Sequence, residues 1–571
     1  MKKPTFRILD LLVLMLIAAL STISFTLAYP ASIPAHGYFI IEGIPIMFWP
    51  AYSILLIINY YFIVSRKVHK VIKILSYYLL SLFALIRMFI TPYVSGVFGS
   101  DSPTYIGLVD YWISNDIINL QKTAYGDDPG LFIVAKVFNC VTELNTKYLT
   151  FILALLWTFF IFMAFRLFVL KHQGKRNTVS YDTEVITLWM SLSYFLLTVF
   201  FIVNFQFAPQ SFALTLLILS FSFTYNKSDI TTPDIILVTI LFFALLVSHP
   251  FMYVFLIISI GLMYFILKIK GIFPRIFSKL IQKDFNKTFV GKTLVIMMVF
   301  IISSIIYILY LTYILKVKLS DAILRAFKHP LYTTALEHYR VITTPSFPEY
   351  HLLYLAITYA LYIGLVILTI YITFFALIGL KRRTCKLYEL TIILASLIWL
   401  PPSLIVMGGL SLRGLQVLLL GLLLLAMHGI FVKKNNTIML KMINLMLIVL
   451  AILSNVKYTW YVQPPCLSDS DVLFADVFNM LSIDQGQKIL SHVGFSGYYN
   501  GKFTGNPLAR FINPYLALKL GCDVNKIWIL RSNRLIIESN KYGYLIPNYL
   551  RLIRDRSIVF STDIVSLFIL S

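Results

Sequence analysis

Asp101 stands in GSDSPTYIGLVDYW, residues 99–112, after a long apolar run and before an amphipathic one. A carboxylate at the start of a helix can do two compatible things. It can complete a cap: Ser102 suits an N-cap, Pro103 the first helical position, and negative charge is favoured near the helix's positive end. It can also take a proton from a hydroxyl nucleophile. The same segment carries Asp110, Asp116, Asp127, Asp128 and Glu143, with Asp127 and Asp128 in KTAYGDDPG, a turn by composition. Two isolated cations could face such acids. Arg87 lies within LLSLFALIRMFITPYV, about two turns below the outer end of its span, where a charge costs roughly 2.5–3.5 kcal/mol on insertion scales. It either snorkels to the headgroups or faces a cavity suited to a phosphate or to Asp101. Arg413, in GGLSLRGLQ at the outer edge of a span, either meets headgroups or contacts a phosphate bidentately. Two tight turns complete the set: NFQFAPQSFALTLLILS, with Asn204, Gln206 and Gln210 around Pro209, and LLVSHPFMYVFL, with His249 before Pro250. Proline breaks the helix in both, and His249 reads either as an interfacial histidine or as a catalytic one.

The elements that must hold these residues are membrane spans. The chain is 59% hydrophobic and 13% charged, against roughly 25% charged in soluble domains. Apolar runs of about 20 residues, enough for a hydrocarbon core of about 30 Å, recur throughout. They predict an all-α polytopic membrane protein of about 13 transmembrane helices, near 8–28, 45–65, 74–93, 148–170, 185–204, 209–225, 233–248, 251–267, 294–315, 353–379, 387–407, 414–431 and 437–455. The first run, Leu9–Leu27, is too long for a signal-peptide core, and Ala28-Tyr29-Pro30 is a poor cleavage site, so it reads as a retained span.

The net charge of +23 follows from topology. MKKPTFR, SRKVHKVIK, KHQGKR, KIKGIFPRIFSKLIQKDFNK, KRRTCK and VKK fall on one side, while the loops 29–44, 205–208 and 249–250 carry no Lys or Arg. The positive-inside rule then puts the N-terminus in the cytoplasm, with anionic lipid headgroups rather than nucleic acid as the basic loops' partner. The glycosylation acceptor sequences at Asn226, Asn286 and Asn435 fall on the inner side, away from glycosylation.

Residues 1–457 form the predicted membrane domain and 458–571 a small extracytoplasmic α/β domain with β-like runs KIWIL, RLIIES and SIVFS. The acidic outer loop 94–147 reads as two interfacial amphipathic helices, about 103–120 and 129–142, and a second long outer loop covers 316–352. Cys385 reads as a free inner thiol. Cys466 and Cys522 share the outer tail, where a disulfide can form, with Cys140 as a rival partner. There is no P-loop, GxGxxG, HExxH or CxxC pair. Apart from Arg87 the spans read as nearly charge-free, which argues against an ion-coupled carrier.

The succession SDSPTY, FAPQSFALTLL and LLVSHPFMYVFL, with the tail sequence ILSHVGFSGYYNGKFTGNPLARFINPYLAL, resembles the polytopic glycosyltransferases of the GT-C superfamily, protein-mannosyltransferase- or aminoarabinose-transferase-like. The resemblance implies transfer of a sugar from a polyprenyl-phosphate donor to a glycan, lipid or protein acceptor on the outer face. It implies Asp101 as catalytic base, Asp127 or Asp128 as a second acid that positions the acceptor or a divalent cation (Mg or Mn), and Arg87, Arg413 and His249 around the donor phosphate. Tyr105 and Gln210 join the substrate-binding set. Two features depart from the pattern. The acidic loop follows the third span rather than the first, and the second outer turn offers Gln206 and Gln210 instead of an acid. The competing expectations are a lipid-linked oligosaccharide polymerase or ligase, a carrier for a lipid-linked sugar, and a non-catalytic scaffold for cell-surface glycan assembly.

Overall fold

The computed structural model describes residues 47–65, 68–84, 102–114, 129–144, 146–173, 183–199, 209–225, 232–272, 351–381, 387–406, 408–432 and 437–461, with short pieces at 298–309, 475–479 and 499–503 and strand residues between 489 and 569. The helices are α1 (Phe48–Val64), α2 (Lys70–Ala84), α3 (Ser102–Ser114), α4 (Gly130–Thr142), α5 (Thr146–Gln173), α6 (Thr183–Val199), α7 (Pro209–Thr224), α8 (Thr232–Ser248), α9 (Pro250–Ile272), α10 (His351–Lys381), α11 (Leu387–Val406), α12 (Gly408–Val432) and α13 (Thr437–Tyr461). Most follow the apolar runs closely. The expected spans at 8–28 and most of 294–315, and the outer loop 316–352, lie outside the described residues. Three helical segments, Leu355–Leu380, Gly414–Phe431 and Ile438–Val456, are long and apolar enough to cross a membrane by length and composition.

The helix ends are where the sequence says they should be. Pro209 and Pro250 open α7 and α9 at the position where a missing N–H costs nothing. A single residue, His249, separates α8 from α9. Its N–H closes α8 on Leu245 O (2.9 Å), and its own carbonyl accepts the N–H groups of Met252 (3.0 Å) and Tyr253 (3.3 Å). Helix α4 stops at Glu143, which takes a left-handed conformation (φ 55°) while its N–H reaches Asn139 O at 2.7 Å.

Helix α6 sits at the centre, with α5 and α13 as its main neighbours and α12, α1 and α10 alongside, and almost every one of its residues is buried. Helices α10 and α12 cross so closely that a Cβ on Gly379 would stand 2.5 Å from Leu425 O, and one on Gly429 would meet Phe375 O. On its other side α10 turns Ile363, Val366, Ile370 and Phe374 outward, an apolar face suited to lipid. Helices α1 and α13 are tied together: Tyr60 donates to Lys441 O (2.8 Å) and Asn455 Nδ2 to the Tyr52 hydroxyl (2.7 Å).

One expectation needs correcting. The spans are not charge-free apart from Arg87. Arg166 on α5 pairs with Glu184 on α6 (2.9 Å), and the Tyr77 hydroxyl donates to Glu184 Oε2 (3.0 Å). Glu389 on α11, 0% exposed, accepts the Tyr225 hydroxyl and contacts His428 Nε2 on α12, both at 2.7 Å. The His172 ring of α5 stands edge-on to His428, 4.3 Å between centroids. Charges inside an apolar bundle persist when they meet partners, and these partners come from distant parts of the chain.

Beyond α13 five strands form one sheet in the order β2-β1-β3-β5-β4: β1 (Ile489–Leu490), β2 (Phe511–Ile512), β3 (Trp528–Ser532), β4 (Ser557–Ser561) and β5 (Val565–Ile569). β1 runs parallel to β2 and β3, whereas β3, β5 and β4 are antiparallel, with a bulge between Ile558 and Phe560. KIWIL and SIVFS are thus strands at β3 and β4, and RLIIES lies outside the described residues, as do Cys385, Cys466 and Cys522. Cys140 is an exposed free thiol on α4, so the rival pairing is not made.

Candidate functional site

Three of the segments singled out from the sequence meet at one end of the bundle. Helix α3 begins at Ser102, one residue after Asp101, as a Ser-Pro start should. It buries Tyr105, Ile106, Val109 and Trp112. Tyr105 is 5% exposed and faces Phe132 of α4 at 6.3 Å between rings, and Trp112 stacks on the same Phe132 at 5.8 Å. The Trp112 Nε1–H is buried with no partner among the described residues.

Polar contacts fix this helix pair. Lys136 Nζ donates to Trp112 O (2.7 Å), placing a cation on the last turn of α3 where the helix dipole favours it. Asp110 accepts a short hydrogen bond from Thr146, the first residue of α5. Asp110 therefore ties α3 to α5. These ties join residues 24 and 36 apart in sequence and carry no motif.

Helix α4 begins directly after Asp127, Asp128 and Pro129. Its first residue, Gly130, lies against the last residue of α8. A Cβ there would meet the Ser248 Oγ and come within 3.0 Å of Ser248 Cα. Glycine is what permits the approach. The contact seats the helix that follows the acidic turn beside the Ser248-His249-Pro250 return. His249 is buried, at 6% exposed. Helix α7 also touches α4, and its second residue, Gln210, is half-buried.

Of the sequence-derived site residues, then, Tyr105 and His249 stand in packed positions at this end, and Gln210 begins a helix that reaches it. Arg413 lies in the first turns of α12, its side chain outside what is described. Arg87, Asp101, Asp127 and Asp128 lie outside the described residues. Among the described residues no group of three or more His, Cys, Asp or Glu is placed to hold a metal ion. The acids expected to serve a divalent cation lie outside that set. Gly130 and Ser248 were not singled out, and their only sequence signal is a glycine one residue after Pro129 and a serine before His-Pro.

No family model matches the chain, and no curated protein sequence matches it. Among solved structures, the archaeal oligosaccharyltransferase AglB from Archaeoglobus fulgidus, in complex with an inhibitory peptide and a dolichol-phosphate, is similar with a TM-score of 0.44 at 10% identity, over 87% of this chain and 74% of that chain. A likeness this loose carries no argument about fold or chemistry, so the functional reading rests on the residues themselves.

Proposed function

We propose that this chain is a membrane glycosyltransferase of the GT-C type, moving a sugar from a polyprenyl-phosphate donor to an acceptor on the outer face. The observation that carries this reading is the Gly130–Ser248 contact. It brings the helix behind Asp127–Asp128 against the His249 turn, beside the helix that begins after Asp101. The helices that follow the proposed acids thereby pack together and against the turn that carries the proposed phosphate-binding histidine.

In this mechanism Asp101 takes the acceptor's hydroxyl proton as that oxygen attacks the anomeric carbon. The bond from that carbon to the phosphate oxygen breaks, the configuration inverts, and the polyprenyl phosphate leaves with its electron pair. Arg87, Arg413 and His249 meet the charge that develops on the leaving phosphate, often the largest single catalytic contribution. Tyr105 and Gln210 orient the sugar, and Asp127 or Asp128 positions the acceptor or a divalent cation. The topology that goes with this is about 13 spans, an inner N-terminus and residues 458–571 outside. The match of helix ranges to apolar runs supports the spans, and the distribution of Lys and Arg supports the orientation.

The test is sugar transfer by the purified protein in lipid, offered a panel of polyprenyl-phosphate sugars and polyprenol-linked acceptors, with wild type beside Asp101→Asn. Transfer by wild type that disappears in Asp101→Asn is expected. Undiminished transfer by the variant would reduce Asp101 to a helix cap and move the base to Asp127 or Asp128.

A further inference from the structure

Buried hydroxyls in this bundle usually satisfy themselves. Thr215, Ser220, Ser259 and Ser396 each donate to the carbonyl four residues back on their own helix, at 2.7–3.0 Å. This local bond is open to any Ser or Thr in a spanning helix. Ser76 on α2 and Thr358 on α10 are single exceptions, and α6 gathers several. Ser191 and Ser193 are 0% exposed, yet neither hydroxyl makes that bond or any other among the described residues. The Tyr194 hydroxyl is likewise buried without a partner.

The spacing is informative. Glu184, Thr187, Ser191, Tyr194 and Thr198 recur at intervals of three and four, which places them on one face of α6. All are buried. At 1.5 Å per residue the face runs about 21 Å, roughly two thirds of a hydrocarbon core of about 30 Å. It starts at the Arg166–Glu184 pair, where Arg166 retains 18% side-chain exposure. It ends at Thr198, whose hydroxyl turns back to Tyr194 O (2.6 Å). An unmet polar group in an apolar interior costs about 1–3 kcal/mol, and protein interiors meet such groups with bound water where no side chain serves.

We propose that the Glu184–Thr198 face of α6 is an internal water-binding track, entered from the Arg166–Glu184 end and closed at Thr198. Hydroxyls both donate and accept, which suits water. Past Glu184 the face carries no charge, which suits neutral molecules rather than ions. The track is a polar path that the hydrophobic sequence of the spans conceals, and it is independent of the transferase reading.

The test uses deuterated water as its probe. In full-length protein with its four native cysteines replaced by serine, Ser191→Cys places a thiol on the track. Leu192→Cys, 1% exposed and not three or four residues from any member of that face, serves as reference. Exchange of S–H for S–D is followed by infrared spectroscopy after transfer to D2O. Ser191→Cys is expected to exchange on the order of tenfold faster or more, because buried groups exchange only as water reaches them. Equal rates overturn the proposal. Should Ser191→Cys fail to fold, thermal unfolding of Ser191→Ala and Tyr194→Phe decides. A lowered melting temperature in both means bonds to water have been lost. An unchanged or raised one in either means the groups were dry, and overturns the proposal.

Discussion

Replacing Gly130 with alanine probes the contact on which the active-site reading depends. The added Cβ would stand 3.0 Å from Ser248 Cα and 3.1 Å from Ser248 Cβ, besides striking Ser248 Oγ. Carbon atoms settle at about 3.5–4.0 Å, so α4 must retreat by roughly 0.5–1 Å. The serine cannot simply swing aside, because its hydroxyl is bonded to Ala244 O at 2.6 Å. Overpacking of this kind costs about 1–3 kcal/mol. A displacement near 1 Å of groups that position a substrate costs about 100-fold in rate. We therefore expect Gly130→Ala to remain folded, to lose a few degrees in melting temperature, and to fall roughly 100-fold in kcat for sugar transfer. Ser248→Gly in the same chain removes the Cβ and Oγ contacts and should restore part of the rate. Val141→Ala, on the exposed face of α4 at 78% exposure, should change neither quantity. Wild-type turnover by Gly130→Ala, or an equal loss in Val141→Ala, would refute the proposal that the seating of α4 against the His249 return governs transfer.

Other outcomes follow from buried pairs and from sidedness. His428→Leu leaves Glu389 buried without its imidazole and should cost about 3–5 kcal/mol in chemical denaturation, with much of the loss recovered when Glu389→Leu is added. Arg166→Met should cost a similar amount by stranding Glu184, and Glu184→Gln in the same chain should recover part of it. Gly429→Val, which drives a side chain into Phe375 O, should part α10 from α12 and lower the melting temperature more than a valine at Gly261, where a Cβ meets nothing within 4 Å. With Cys385, Cys466 and Cys522 changed to serine, Cys140 should react with a membrane-impermeant maleimide added outside intact cells; protection until lysis would invert the topology.

The helices were legible because one signal dominates them. Long apolar runs bounded by proline or by basic loops mark α7, α8 and α9 to within a few residues, and Ser102-Pro103 marks the start of α3. The partners of buried polar groups were not legible. Glu389 and His428 are 39 residues apart and belong to different helices, so only packing shows that one answers the other. The same holds for Gly130 and Ser248. In the tail, SIVFS was readable as a short run of β-branched and aromatic residues between serines, whereas β1 and β2 are two residues long and have no pattern to detect. The acidic loop, the Ser-Pro start and the His-Pro return were readable as candidates, while the ties of α3 to its neighbours, Asp110 to Thr146 and Lys136 to Trp112, came only with the fold.

The bond between Tyr60 and Lys441 bridges 381 positions, and that between Tyr52 and Asn455 bridges 403. Chain synthesis at about 5–20 residues per second puts roughly 20–80 s between the emergence of α1 and that of the helix it must grip. Throughout that interval Asn455's future partner and the buried face of α1 meet lipid, translocon or chaperone instead of α13. A ribosome that stalls before residue 437 leaves a bundle with α1 unclasped, and loss of α13 should therefore be felt at α1 as much as at its own position.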